Sequence, residues 1–143
     1  MELVHCIYCS VSTDKNIDKE ALDEILSQSR RNNEKKGVTG VLLYDSNSFF
    51  QVLEGDRAVV ERLYDTISFD SRHDRMTKIL IEPIEERAFG EWSMGYPKIS
   101  RAELETVEGL NDFFSQGKSF IDLEEGRAKN LLNAFKGGKW RYN

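Results

Sequence analysis

The order of strand-like and helix-like segments predicts an α+β fold, in which a five-stranded ferredoxin-like sheet carries two helices on one face. Segments that alternate apolar and polar residues indicate strands, and segments whose apolar residues recur every three or four positions indicate helices. They follow the order β-α-β-β-α-β, which is typical of split ferredoxin-like units, and one further strand comes after them. The predicted strands cover 2–10, 38–45, 48–54, 77–84 and 92–97, and the predicted helices cover 18–36 and 57–68.

The first predicted helix has recognisable ends but an unusual inner face. Asp18 is a suitable N-cap, and Gly37 stands just past the last helical residue, where glycine is favoured. The face that should meet the sheet consists of Leu22, Leu26, Ser29 and Asn33. This stripe turns polar in its last two turns, and Asn33 is a poor core residue unless it binds something.

The second helix and the hairpin before it follow ordinary rules. Asp45-Ser46-Asn47 separates the second and third strands as a short turn. One face of the second helix is apolar and consists of Val60, Leu63, Tyr64 and Ile67. We therefore expect ordinary core packing from this helix.

After Pro97 the pattern becomes helical. Two predicted helices cover 100–114 and 120–135 and are separated by Gly117-Lys118. We expect a helical hairpin that covers the second face of the sheet, because that face would otherwise be exposed. The chain then divides into a first domain, 1–97, and a C-terminal extension, 98–143.

Polar side chains interrupt the apolar faces of several of these elements. Gln51 lies on the same strand face as Phe49 and Leu53, and Tyr8 lies on the apolar face of the first strand. A buried carboxamide without partners costs about 1–3 kcal/mol. Each group alone is most simply satisfied by protein. Together with Asn33 they favour a ligand, and such groups suit a flat, neutral heteroaromatic ring with carbonyl and imine atoms.

Six segments in one order resemble those of the BLUF family, the blue-light sensors that use FAD. They are Ile7-Tyr8-Cys9-Ser10, Ser29-Arg30-Arg31-Asn32-Asn33, Val38-Thr39-Gly40-Val41-Leu42-Leu43-Tyr44, Phe49-Phe50-Gln51-Val52-Leu53-Glu54-Gly55, Asp70-Ser71-Arg72-His73 and Trp92-Ser93-Met94. The resemblance runs from Leu3 to Met94. It implies that the isoalloxazine ring of a non-covalently bound FAD lies between the two helices, with FMN as an open alternative.

The resemblance also implies roles for individual residues. On excitation Tyr8 would give an electron and then a proton to the flavin, and Gln51 would rearrange its hydrogen bonds between the phenol and the ring. Asn33 would hold the ring edge. Trp92 and Met94, on one face of the last strand, would exchange places near Gln51. The further implied flavin-binding residues are Ser29, Asn32, Arg72, His73 and Met94.

Plainer interpretations stay open for three of these residues. Arg72 could be an exposed loop charge, and Trp92 and Met94 could be ordinary core residues. Cys6 and Cys9 have the C-x-x-C spacing of some metal or redox sites. However, residues three apart on a strand point to opposite faces, and no second pair completes a metal site. His5 and His73 do not form a catalytic set with a nucleophile.

Composition and charge exclude several classes of function. The net charge is −5 and the pI is about 5.1, which argues against a nucleic-acid surface because duplex binding needs clustered Lys and Arg. No apolar run is long enough to span a membrane, and no signal-peptide pattern begins the chain, so we expect a cytoplasmic protein.

We therefore expect a blue-light photoreceptor without enzymatic activity. Because no effector-domain pattern follows, its output should pass to a separate downstream signalling protein, and the oligomeric state is open, a homo-oligomer included. The alternative is a chromophore-free ferredoxin-like interaction module. A flavin enzyme that reduces a small substrate is disfavoured, since the sequence has no G-x-G-x-x-G dinucleotide motif.

Overall fold

The computed structural model describes residues 2–13, 18–45, 47–70, 73–90, 92–96, 100–107 and 110–136. Within these residues four strands and two long helices come first. They are β1 (Leu3–Ser12), α1 (Lys19–Lys36), β2 (Thr39–Asp45), β3 (Ser48–Asp56), α2 (Arg57–Ser68) and β4 (His73–Pro83). The C-terminal elements are α3 (Arg101–Leu104), α4 (Asn111–Ser115), a 3-10 turn (Phe120–Asp122) and α5 (Glu125–Lys136).

The strands form one sheet in the order β2-β3-β1-β4, and all neighbours are antiparallel. Gln51 on β3 pairs with Tyr8 on β1 and with Leu42 on β2. Tyr8 in turn pairs with Lys78 on β4. Since directly opposed residues share a sheet face, this register brings the predicted phenol and carboxamide together in the middle of the sheet.

The ends of α1 are formed as the sequence predicts. The carboxylate of Asp18 accepts a hydrogen bond from the backbone N–H of Ala21 over 2.8 Å. Gly37 ends the helix in the left-handed conformation with φ 67°, and its N–H bonds to the carbonyl of Asn33. Glycine suits this position because it lacks the Cβ that makes left-handed backbone costly.

The predicted fifth strand is wrong for the described residues 92–96. Gly95 makes a single parallel bridge to Val41 at the edge of β2. The N–H of Gly40 donates to the carbonyl of Trp92 over 3.0 Å, and the N–H of Gly95 donates to the carbonyl of Gly40 over 2.9 Å. The chain bends between Trp92 and Gly95, so both residues form backbone hydrogen bonds with Gly40. The side chains of residues 92–95 therefore do not alternate between two faces as they would in a strand.

Two strand and helix boundaries also differ from the prediction. β4 begins at His73 rather than near residue 77, and its pairing with β1 is interrupted by register shifts, with Arg75 at φ 52°. The predicted helix 100–114 is divided between α3 and α4. Thr106 lies in the break, where its hydroxyl bonds to the carbonyl of Glu103 over 2.6 Å and competes with the helical backbone bonds.

Each face of the sheet has its own core. The helix-face core lies under α1 and α2 and consists of Val4, Cys6, Tyr8, Leu22, Leu26, Val38, Leu42, Phe49, Leu53, Val60, Leu63 and Met94. The opposite-face core joins strand residues such as Ile7, Phe50 and Val52 to buried residues of the C-terminal elements, which are Leu104, Val107, Leu110, Phe113, Phe114, Phe120, Leu123, Ala128, Leu131 and Leu132. The C-terminal segment therefore covers the second face, as expected, although as four short elements rather than a hairpin of two helices.

Candidate functional site

A cleft opens over the helix face of the sheet. Its walls come from α1, the middle of β2 and β3, and the end of α2, and they consist of Ile25, Ser29, Leu42, Phe49, Gln51, Ile67 and Asp70. Sites for small ligands are typically concave and mostly apolar, with a few polar groups that set the orientation of the ligand. The mixture of aliphatic, aromatic and amide side chains suits a flat, uncharged ring.

Tyr8 and Gln51 are hydrogen-bonded to each other at this face. The phenol O–H donates to Oε1 of Gln51, and only 1% of the Tyr8 side chain and 8% of Gln51 are exposed. Burial raises the pKa of Tyr8 well above its usual value, because desolvation disfavours the phenolate. Tyr8 is therefore a neutral phenol, and its proton is directed at the carboxamide that lines the cleft.

The other end of the Gln51 carboxamide has a weaker partner. Its Nε2 donates to Sδ of Met94 over 3.4 Å, and Met94 is buried. A thioether sulfur is a weak acceptor, so a carbonyl or imine atom of a bound ring would be a better partner for this N–H group. The carboxamide thus bridges the phenol on one side and an exchangeable partner on the other.

Side chains of α1 hold the backbone next to Met94. Nδ2 of Asn33 donates to the carbonyl of Ser93 over 2.6 Å, and Nε of Arg30 donates to the carbonyl of Met94 over 2.9 Å. Asn33 is buried as the sequence predicts, but it lines a shallow groove beside Ser93 rather than the cleft. These two bonds fix the distance between α1 and the segment that carries Met94.

The other predicted flavin-binding residues do not all lie at the cleft. Ser29 lines the cleft, as predicted. Asn32 is exposed and is not among the lining residues, so the structure does not bring it to the site. Arg72 lies outside the described residues. The backbone of His73 pairs with Ser12 at the start of β4, and its side chain lies outside the description.

Trp92 lies on the other side of the sheet edge, which corrects the prediction that it shares a face with Met94. Its indole stacks on Phe89 with ring centroids 5.9 Å apart and packs against the opposite-face core, whereas Met94 belongs to the helix-face core. The reason is the bend between Trp92 and Gly95, which replaces the two-residue alternation of a strand. A Cβ on Gly95 would overlap the indole, at 1.9 Å from Cε3 of Trp92.

Sequence reasoning missed four residues of the site, which are Ile25, Arg30, Ile67 and Asp70. The apolar face of α2 predicts ordinary core packing for Ile67, and Arg30 was noted only within the family resemblance. Asp70, at the end of α2, was noted only within the family resemblance. A signal was present for Ile25, since it precedes Ser29 by one helical turn. The hydrogen bond from Arg30 to the backbone carbonyl of Met94 depends on a tertiary contact, which no local sequence pattern indicates.

The two cysteines do not form a site together. Cys6 lies in the helix-face core and Cys9 in the opposite-face core, and both thiols are free. Burial raises the pKa of each thiol to about 12, so both are protonated and unreactive at neutral pH. Among the residues that the structure describes, no group of three or more His, Cys, Asp or Glu side chains could hold a metal ion.

The residues of the cleft fit the flavin that the sequence resemblance implies. Leu42, Phe49 and Ile67 provide apolar contacts for the faces of a ring, and Gln51 presents an amide N–H whose present acceptor is weak. The fit rests on this donor set and on the cleft between the two helices.

In the described part of the chain, no helix is both long and apolar enough to cross a membrane.

Comparison with known proteins gives a consistent result. The sequence profile of a family described as "Sensors of blue-light using FAD" (BLUF) matches residues 3–95. The chain is 40% identical over 93 residues to the photoactivated adenylate cyclase subunit alpha of Euglena gracilis, covering 64% of this chain and 9% of that protein. It is 31% identical over 135 residues to the blue light- and temperature-regulated antirepressor BluF of Escherichia coli K12, covering 93% of this chain and 32% of that protein.

A solved structure is similar along nearly the whole chain. The photo-activated state of BlsA superposes with a TM-score of 0.85 at 32% identity, and the match covers 96% of this chain and 97% of BlsA. The likeness therefore includes the C-terminal elements on the opposite face, beyond the region that the family profile matches.

Proposed function

The chain belongs to the BLUF family, and we propose that it is a blue-light photoreceptor that holds FAD non-covalently in the cleft between α1 and α2. The observation that carries this proposal is the buried hydrogen bond from Tyr8 to Gln51 at the cleft between α1 and α2. When bound, the flavin supplies absorption of blue light and, once excited, an acceptor for one electron. The chain supplies the electron, the proton and the hydrogen bonds that respond.

Tyr8 is the electron donor in this proposal. Its phenol is neutral and buried, and its proton already points to Oε1 of Gln51. Loss of an electron makes the phenol a strong acid, so the proton can move along this hydrogen bond. When the electron and proton return, the carboxamide of Gln51 can settle in a different arrangement, because it offers a donor at one end and an acceptor at the other.

Met94 connects this rearrangement to the rest of the molecule. Nε2 of Gln51 contacts Sδ of Met94, and the backbone carbonyl of Met94 accepts a hydrogen bond from Arg30. A change in what Gln51 offers to Met94 is thus transmitted to residues 92–96 and, through Trp92, to the opposite-face core. This coupling requires an element with two arrangements, and we assign that role to residues 92–96.

We propose that the signal passes to a separate protein in the cytoplasm through contact rather than catalysis. The E. coli relative is named an antirepressor, and the chain spans only about a third of that protein. The chain's own contribution would be the flavin-binding domain 1–97, and the extension 98–143 would present the changed surface. Direct contact with nucleic acid is not part of this proposal.

The first experiment is an absorption spectrum of the purified protein in the dark, after blue light, and during return to the dark. We expect a flavin spectrum that moves slightly to longer wavelength and then recovers. A protein that cannot take up added flavin would support the chromophore-free interaction module instead. A lasting bleach would indicate redox turnover. Mass spectrometry of the released cofactor distinguishes FAD from FMN.

Two substitutions test the roles of the site residues. Gln51→Leu and Tyr8→Phe should each leave flavin bound and remove the light-induced shift, because the first deletes the carboxamide and the second deletes the transferable proton. Tyr44→Phe is a matched control, since Tyr44 is a half-buried tyrosine that packs against the same core and donates its hydrogen bond to Asn47 rather than to Gln51. A normal photocycle in either test variant would contradict the proposed switch.

A further inference from the structure

A second tyrosine and a lysine lie beside Tyr8, and the flavin chemistry described above does not use them. The ring of Tyr64, on α2, meets the ring of Tyr8 edge to face, with centroids 5.3 Å apart and planes at 84°. Nζ of Lys78, on β4, lies 4.7 Å from the centroid of the Tyr64 ring. Lys78 is also the strand partner of Tyr8, so the three side chains share one face of the sheet.

The two tyrosines differ in what can take their protons. Tyr8 is buried, and its hydroxyl is bonded to Gln51. Tyr64 is half-buried at the outer side of the helix-face core, so water reaches part of its side chain. A phenol that loses an electron also loses its proton, and bulk water is a good acceptor. Tyr64 is therefore a competing electron donor in ring contact with Tyr8.

We propose that Tyr64 is a second one-electron donor next to Tyr8, and that the ammonium group of Lys78 keeps the oxidised state on Tyr8 by making Tyr64 harder to oxidise. This inference rests on the proposed function, in which Tyr8 gives an electron to the excited flavin. A cation over a ring face is attracted to the electron-rich neutral ring and repelled by the oxidised ring. The charge of Lys78 thus opposes transfer of an electron from Tyr64 to the oxidised Tyr8, so the oxidised state stays on Tyr8.

The competing reaction balances as follows. Tyr8 would first give one electron to the excited flavin. Before Tyr8 releases its proton, Tyr64 gives one electron to the oxidised Tyr8, which becomes an intact phenol again. Tyr64 releases its proton to water and is left as a neutral radical. One electron has then moved from Tyr64 to the flavin, Tyr8 is unchanged, and the Gln51 rearrangement does not occur.

The proposed effect of Lys78 on Tyr64 is tested with Lys78→Gln in the flavin-loaded full chain. After brief illumination and rapid freezing, we expect electron paramagnetic resonance to show about two- to fivefold more trapped tyrosyl radical than in the native protein, as the modest strength of an exposed cation–π contact indicates. The yield of the red-shifted state should fall. Lys78→Arg, which keeps the charge, should behave like the native protein.

Lys118→Gln is the matched charge control. Nζ of Lys118 lies 5.6 Å from the centroid of the Phe113 ring, which belongs to the opposite-face core, so its removal changes the net charge equally but leaves Tyr64 untouched. We expect native radical and photoproduct yields. Dark flavin affinity should be equal in all these variants, because neither Lys78 nor Tyr64 is among the residues that line the cleft.

The double variant Lys78→Gln/Tyr64→Phe identifies the donor. If Tyr64 carries the radical, the double variant loses the excess signal. If the excess radical signal persists in the double variant, the assignment to Tyr64 is overturned. If Lys78→Gln shows an unchanged radical yield and a normal photocycle, the proposed effect of Lys78 on the oxidation of Tyr64 is overturned. Failure of the proposed function is distinguishable, because the native protein would then show no recovering red shift, or Tyr8→Phe would retain it.

Discussion

The two faces of the sheet differ in how completely they are packed, although the same strands form both. On the opposite face, aromatic and aliphatic residues of the C-terminal elements fill the space above Ile7, Phe50 and Val52. On the helix face, α1 and α2 leave a cleft between them, and its buried polar residues, Tyr8 and Gln51, bond to each other. The helix face therefore contains the cleft proposed for the flavin, whereas the opposite face is filled by side chains of the C-terminal elements.

Neighbouring phenylalanines on β3 give the largest test of this contrast. Phe50 lies in the opposite-face core against Phe120, with ring centroids 5.8 Å apart, and Phe49 lines the cleft. Phe50→Ala should lower the free energy of unfolding by about 3–5 kcal/mol. Phe49→Ala should cost clearly less in flavin-free protein, because the Phe49 ring borders the cleft, and should weaken the proposed flavin binding. Denaturant unfolding measures the stability of the two variants, and flavin titration measures their flavin affinity. Equal losses of stability in Phe50→Ala and Phe49→Ala would contradict the difference between the two faces.

A buried carboxylate at the margin of the filled face provides the next test. Glu54 is fully buried, and its side chain accepts hydrogen bonds from the N–H groups of Ala88 and Phe89 over 2.6 and 3.0 Å and from the hydroxyl of Thr39 over 2.9 Å. Glu54→Gln replaces one acceptor oxygen by an amide donor. We expect a loss of about 2–3 kcal/mol in the free energy of unfolding.

The matched comparison is Gln51→Leu, on the same strand but in the cleft. It should cost only about 1 kcal/mol in flavin-free protein, because its main effect is to leave the Tyr8 hydroxyl without its acceptor. Thermal and denaturant unfolding of the two variants under one set of conditions checks the order. A larger loss for Gln51→Leu would mean that the cleft residues are selected for stability.

The smallest effect should come from an ion-pair cluster that joins α5 to the sheet. Oε1 of Glu82 lies 2.8 Å from Nε2 of His5, and Oε2 of Glu82 lies 3.3 Å from Nζ of Lys129. The hydrogen bond from His5, assisted by Lys129, lowers the pKa of Glu82 below its usual value. The carboxylate is therefore more stable in the folded protein than in the unfolded chain.

The sign of the pH dependence follows from this lowered pKa. The contribution of Glu82 is fully present above the unfolded carboxyl pKa and is lost as pH falls through the lower, folded value. Because about a third of the Glu82 side chain is exposed, we expect less than about 1 kcal/mol. The difference in unfolding free energy between the native protein and Glu82→Gln should be smaller at pH 3 than at pH 7. A difference of equal size at pH 3 would contradict this account.

Local signals in the sequence predicted the elements whose form depends on their own residues. Asp18 and Gly37 define α1 through contacts within the helix, and alternation along β3 places Gln51 beside Phe49 on the correct face. That Tyr8 and Gln51 share a face was likewise predictable from alternation, whereas a place for Met94 near Gln51 was implied only by the family resemblance. Residues 92–96 were not, because their path is set by bonds to Gly40, Asn33 and Arg30, which are distant in sequence.

The contact of residues 92–96 with Gly40 has a steric consequence. Gly40 exchanges hydrogen bonds with both Trp92 and Gly95, and its Cα lies so close to β3 that an added Cβ would be 1.9 Å from the carbonyl oxygen of Val52. A side chain at position 40 would therefore push β2 away from β3, and the hydrogen bonds of Gly40 would carry residues 92–96 with it. Met94 and Trp92, which pack in the two different cores, would both be displaced.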